Sequence, residues 1–433
     1  MRKQMLSVLI GVCLLLSFVC LPAGAEEMLP QIGGKGDRAL DAAELKEARG
    51  TAWELYAAEV LSDSRMIQET EAQELALGDV TMRYYVTVIG NKPENGYPLY
   101  IALHGGGGSD TPDINDEQWE MMQSYYSYAL KCGVYVAPRG VRDTWDTHFN
   151  PESYPLYDRL IQYMILTQDV DPNRVYLEGF SAGGDGVYAI APRMADRFAA
   201  ANMSSGHPNG VSMINMKNLP IQLQAGENDT AYNRNTVTAE YDAVLNELQE
   251  KYGGYEHRTL IHYNSGHNYR DYDTKSIASM NDPQAWLKEG DRSFGMIDSF
   301  PPDYMKQFTR DPLPAEVIWD LSTRAPMREV ESFYYLSAPK ETTEGMIRIS
   351  YDDQNKITIQ TQNVNGEFSV LLNEQMIDFD RPVLFSVNDE EIALKVIPDQ
   401  EVLTKTTVER GDPNYQFEAE ISYSELMELL RKE

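Results

Sequence analysis

At 433 residues the chain is longer than one ordinary domain, and its 42% hydrophobic and 24% charged content is that of a globular protein, which excludes a disordered chain and a membrane bundle. Its 37 Lys and Arg against 67 Asp and Glu leave a formal charge of −30, a field that repels nucleic acid and anionic lipid. Nucleic acid is therefore not an expected partner.

Residues 1–25 read as a secretory signal peptide: Arg2 and Lys3 precede an apolar run from Met5 to Leu21, and Ala23-Gly24-Ala25 supplies small residues for cleavage after Ala25. The run is short for a membrane anchor, and Val19 stands where a lipoprotein signal needs a small residue before Cys20. Cleavage would take Cys13 and Cys20 away, leaving Cys132 alone, no intrachain disulfide, and a formal charge of −32. A periplasmic or secreted protein with no membrane span after cleavage is expected, held together by its core rather than by staples.

Residues 26–75 read as a helical arm. The spacing of Leu40, Leu45, Ala48, Trp53, Tyr56 and Val60 predicts a helix that Asp41 and Glu44 cap and Gly50 breaks or bends. Residues 76–300 then alternate strand with helix. Val80–Ile89 and Leu99–Leu103 are strands joined through Asn95-Gly96, and Val134–Pro138, Arg174–Glu178, Ala199–Met203, Pro220–Ala225 and Arg258–Tyr263 follow as strands. Helices are expected over 117–130, 157–166, 182–195 and 237–251. Such alternation predicts a parallel sheet with crossovers.

Four motifs sit at carboxyl ends of these strands. His104-Gly105-Gly106-Gly107-Gly108 is a glycine loop whose backbone N–H groups can approach a ligand, while His104 either borders substrate or holds the loop. Gly179-Phe180-Ser181-Ala182-Gly183 is G-x-S-x-G, a strand turning sharply into a helix with a serine at the apex. Asp229, within Gly226-Glu227-Asn228-Asp229-Thr230, and His267, within Ser265-Gly266-His267-Asn268, complete the order Ser, acid, His. Glu227 is the rival acid and His262 the rival base; Asp242 is disfavoured by its place within a helix. Between Pro138 and Pro155, Arg139 and Trp145 are candidates for substrate contact or for bracing the loop, and His207 is a candidate at the pocket border. Ser204–Asn218 is too short for a helical cap, which predicts an open site.

Residues 78–270 resemble α/β-hydrolases, and the HGGGG, GFSAGG, GENDT and SGHN motifs are similar to those of secreted esterases of the polyhydroxyalkanoate-depolymerase and feruloyl-esterase kind. The resemblance implies a serine hydrolase acting on small or polymer-linked esters, with Ser181, His267 and Asp229 as triad and with Ala182, Gly105, Gly106 and Gly107 offering oxyanion donors. It requires no metal and no cofactor. The evident cap of lipases is missing, which counts against long-chain triglycerides. A serine peptidase with the same triad is the nearest rival, and a binding protein on a hydrolase scaffold is the rival from another class.

Residues 301–329, with Pro301, Pro302, Pro312 and Pro314, read as a linker, and 330–433 as a β-rich domain. Short alternating runs at 332–337, 346–351, 356–361, 368–372, 383–387, 392–397 and 417–423 predict an antiparallel sandwich or barrel.

Overall fold

A computed structural model describes residues 29–34, 40, 42–108, 110–111, 113–262, 265–268, 277–279, 301–324 and 331–432. The signal-peptide reading over 1–25 and the cap assigned to Asp41 lie outside these residues. No described helix is long and apolar enough to cross a membrane.

After a three-residue strand β1 (Gln31–Gly33), the chain builds β2 (Glu74–Leu77), β3 (Val80–Ile89), β4 (Tyr97–Leu103), β5 (Gly133–Pro138), β6 (Val170–Phe180), β7 (Ala200–Ser204), β8 (Ile221–Gly226), β9 (His257–His262) and β10 (Ile277–Ser279). They hydrogen-bond in the order β10-β9-β8-β7-β6-β4-β5-β3-β2. The centre from β5 to β9 is parallel, and β2, β3 and β10 run antiparallel at the edges. This is the expected α/β-hydrolase arrangement.

Strands β4, β5 and most of β6 are apolar on both faces because they alternate two sets of buried residues. Leu99, Ile101, Leu103, Val134, Val136, Val175 and Leu177 face one core. Tyr100, Ala102, Tyr135, Ala137 and Tyr176 face the other. Helices cover both: α4 (Ser153–Thr167) and α5 (Ala182–Ile190) pack in the first core, α3 (Ile114–Tyr125) and α7 (Pro301–Met305) in the second. The helix α6 (Arg234–Tyr252) lies along β8 and β9.

Two local expectations are corrected. Helix α1 (Ala42–Ser62) runs unbroken through Gly50, whose position is exposed, before α2 (Ser64–Ala72) begins. A glycine there costs about 1 kcal/mol of helix propensity, and buried Leu45 and Tyr56 on either side anchor the helix regardless. The segment read as a linker contains α7 and β11 (Glu316–Asp320).

The C-terminal region adds β12 (Ser332–Phe333), β13 (Leu336–Ser337), β14 (Met346–Tyr351), β15 (Lys356–Gln362), β16 (Ser369–Leu372), β17 (Val383–Val387), β18 (Glu390–Ile397) and β19 (Ala419–Ser422). They form a six-stranded sheet β1-β18-β17-β15-β14-β11 and a four-stranded sheet β12-β13-β16-β19. Two pairs, β1 with β18 and β15 with β17, are parallel, and two helices, α8 (Gln400–Arg410) and α9 (Tyr423–Leu430), complete the region. Its Val317, Trp319, Phe333 and Tyr335 share one apolar core with Ile190, Met194 and Met213 of the α/β body.

Candidate active site

Strand β6 ends at Phe180 and α5 begins at Ala182, so one residue must turn the chain. Ser181 does so with φ 59° and ψ −120°, a conformation side chains rarely adopt and one that survives only where the surroundings enforce it. The enforcement is close packing. A Cβ on Gly179 would lie 2.3 Å from the Gly183 carbonyl oxygen, and one on Gly183 would lie 2.1 Å from that of Leu103. Hydrogen bonds from Ser181 N to Ser204 O (2.9 Å) and from Asp185 N to Ser181 O (3.0 Å) clamp the turn.

Two further strand ends bring partners to this serine. The loop after β8 carries Asp229, buried, and the segment after β9 carries His267. Asn228 N donates to Ser265 O at 2.9 Å, tying the acid's loop to the histidine's, and Ser205 Oγ donates to His267 O at 3.1 Å. His267 Nδ1 lies 2.7 Å from Asp229 Oδ2, and its Nε2 lies 2.9 Å from Ser181 Oγ. Facing a carboxylate, Nδ1 is assigned the ring proton, which leaves Nε2 to accept from the serine hydroxyl. The Phe180 ring, centroid 5.2 Å from the imidazole, backs it.

The rivals stand elsewhere. Glu227 is exposed, Asp242 lies within α6 with an oxygen 3.7 Å from His257 Nε2, and buried His262 donates from Nε2 to Gln224 Oε1 at 3.0 Å.

On the oxyanion side, Gly105 passes over the serine: a Cβ there would lie 3.4 Å from Ser181 Cβ. Ala182 opens α5, where N–H groups have no partner within the helix. Gly107, expected among the donors, is corrected, because its N–H donates to Asn115 Oδ1 at 2.8 Å. Asn115 also donates to Gly107 O (3.0 Å) and to Asp143 Oδ1 (2.9 Å), so it fixes the glycine loop from below. Ala182, Gly105 and Gly106 are left as candidates.

His104 and Arg139 are corrected as substrate contacts. His104 is fully buried, its Nδ1 donating to Gly105 O at 2.6 Å and its Nε2 accepting from Gly140 N at 2.9 Å. Burial pulls its pKa down to about 4, against the Gly105 bond and with help from the Arg139 charge, so the ring is neutral. A second buried imidazole, His148, packs edge-on at 4.4 Å and donates to His104 O at 2.8 Å. Arg139 donates to Gly140 O at 2.8 Å and to Asp143 Oδ1 at 2.5 Å and pairs with Asp116. Both residues hold loops to one another, a role set by neighbours from other segments.

Trp145 and His207, by contrast, line a cavity of about 250 Å³ beside Ser181. Trp145 is 55% exposed, its ring seated edge-on against Phe149. Sequence reasoning missed Asp185, Asn209, Tyr232 and Arg234 in the same wall. A signal for the last two existed, since they follow Asp229 within five residues at a strand's carboxyl end. Among the described residues no group of three or more His, Cys, Asp or Glu is placed to hold a metal ion.

No family model matches the chain. It is 30% identical over 110 residues to a protein named "Probable feruloyl esterase C" from Aspergillus terreus, a match over 25% of this chain and 40% of that protein. Feruloyl esterase C of Emericella nidulans is 27% identical over 132 residues, covering 30% of this chain and 48% of the relative. The chain thus matches less than half the length of either relative. Among solved structures it is similar to LpqC, a poly(3-hydroxybutyrate) depolymerase from Bordetella parapertussis, with 16% identity, 48% of this chain and 88% of that chain covered, and a TM-score of 0.36.

Proposed function

We propose that this protein is a serine hydrolase that cleaves carboxylic esters through an acyl-enzyme. The observation that carries the reading is the relay at the elbow, Ser181 Oγ to His267 Nε2 at 2.9 Å and His267 Nδ1 to Asp229 Oδ2 at 2.7 Å. As Ser181 Oγ attacks the carbonyl carbon its proton passes to His267 Nε2, and Asp229 holds the imidazolium that forms. The carbonyl oxygen becomes an oxyanion beside the Ala182 N–H and the amides of Gly105 and Gly106. His267 then gives the proton to the departing alcohol oxygen, and a water, deprotonated in turn by His267, releases the acid and restores Ser181. The matches to feruloyl esterases support an ester over other acyl substrates.

In this proposal the leader over residues 1–25 exports the protein, the site is open and lidless, and the ester is small or polymer-linked. The catalytic body over 76–300 carries all the chemistry, while the β-rich region serves to place it.

The test is turnover of p-nitrophenyl esters and of aminoacyl p-nitroanilides by the mature protein and by Ser181→Ala. Ester hydrolysis is expected, falling on the order of 10⁶ in the variant. Turnover of the anilides alone would make the protein a peptidase, and an active Ser181→Ala would remove the serine from the mechanism.

A further inference from the structure

The relay leaves one charge at the site without a task. Arg234 opens α6, its side chain is 11% exposed, and it lines the cavity beside Ser181. Its Nη1 lies 3.8 Å from Asp229 Oδ1 and donates to Ala231 O at a long 3.4 Å, Nε is shut off from solvent with no acceptor, and Nη2 bonds no described residue. The Tyr232 ring supports the guanidinium, with Cζ 4.9 Å from its centroid. Held between the Tyr232 ring and Asp229, the guanidinium leaves Nη2 as a positioned, charge-assisted donor that a ligand oxygen can take with little further ordering.

Chemistry decides which part of an ester reaches it. In the proposed mechanism His267 protonates the departing oxygen, so the alcohol leaves on the His267 side. The cavity is instead walled by Ser181, Ala182 and Gly106 to Gly108, and His267 is not among its described lining residues, so it receives the acyl group. Charge decides what that group carries. Arg234 already faces Asp229 and lies in the field of Asp185, whose pKa burial raises while the His207 amide and the Arg234 charge oppose the rise. A substrate carboxylate would add a third negative charge to one positive one, whereas a neutral oxygen accepts the Nη2 hydrogen bond without that repulsion.

We propose that Arg234 is a specificity residue that donates to a neutral acceptor oxygen on the acyl group. The proposal rests on the ester-hydrolase reading. Its test compares p-nitrophenyl hexanoate, 5-oxohexanoate and hemiadipate, which share a leaving group and a chain length, in the wild type and in Arg234→Gln. The wild type should favour the 5-oxo ester over hexanoate by about tenfold or more in kcat/KM, the worth of a hydrogen bond to a charged donor. In Arg234→Gln that ratio should fall towards one, with the change carried by KM. Covalent labelling of Ser181 by a fluorophosphonate in both proteins reports an intact fold and nucleophile. Equal slowing of all three esters in kcat would make Arg234 a support for Asp229 and overturn the proposal, as would a wild-type preference for hexanoate or for hemiadipate. A wild type that neither labels nor hydrolyses any ester overturns the hydrolase reading itself.

Discussion

Two groups of polar side chains in this molecule are assembled from distant segments, and they differ in access. At the carboxyl ends of β6, β8 and β9, Ser181, Asp229 and His267 form a chain of two hydrogen bonds that ends at a cavity, with the His267 side chain 33% exposed. At the junction with the C-terminal region, Arg410 Nη2 meets Asp196 Oδ2 at 2.6 Å, Arg310 Nη2 meets Asp412 Oδ2 at 2.8 Å, and Arg197 Nε meets Asp158 Oδ1 at 2.9 Å. The Tyr415 ring lies between Arg310 and Arg410, at 4.8 and 4.0 Å from their guanidinium carbons, and its hydroxyl donates to Asp196 O at 2.7 Å. Burial alone would push Asp412 up, yet Arg310 and Arg197 hold its pKa below the ordinary carboxylate range. A buried aspartate is cement where arginines seal it, and in the proposed relay it orients a histidine that stays reachable.

Removing a member should therefore cost rate in one group and stability in the other. The larger effect is at the relay: Asp229→Asn should slow ester turnover by roughly 10⁴, the loss that follows when a triad histidine is left in the wrong tautomer. Glu227→Gln should stay near wild type, and the reverse ranking would reassign the acid. At the junction, Arg410→Ala should lower stability by about 3–5 kcal/mol, because it leaves Asp196 buried without its nearest cation. Thermal unfolding measures this, and a melting temperature within a degree or two of wild type would show the junction to be dispensable.

The smallest effect is one of pH. His262 lies buried in β9, and burial pulls its pKa down to about 3. The unfolded chain binds that proton near pH 6.5, so between pH 6.5 and about 3 the unfolded state holds more protons and stability falls as the pH falls. His104 and His148, both lowered by burial, act in the same direction. His262→Gln should make the decline in melting temperature below pH 6.5 shallower without abolishing it. An unchanged slope would mean that His262 is not held neutral in the fold.

The proposed site was legible where its signal is local. G-x-S-x-G, the glycine loop, and an acid and a histidine each just beyond a strand are short-range patterns, and alternating strand and helix sets the order in which they meet at one edge. For His104, Arg139 and Gly107 the choice between substrate and loop was not legible, because their partners Gly140, Asp116 and Asn115 lie elsewhere in the chain and decide which way a polar group faces.

The same division holds in the C-terminal region. Runs such as Met346–Tyr351 and Lys356–Thr361 alternate as strands do, and they lie in β14 and β15. Helix α8 carries threonine at 404, 406 and 407 and shows no apolar stripe, although its stops were present: Asp399 accepts from Glu401 N at 2.7 Å, and Gly411 closes the helix with φ 54°. Strand β1 has three residues and exists through its register with Lys395–Ile397, a contact nothing local announces.

In the proposed mechanism the relay activates the hydroxyl at the elbow, and the identity and rate of the residue modified by a fluorophosphonate test this most directly. Peptide mapping by mass spectrometry should place a single adduct on Ser181, formed rapidly in the wild type and slower by orders of magnitude in a folded His267→Ala variant. An adduct on another serine, or equal rates in the two proteins, would contradict it.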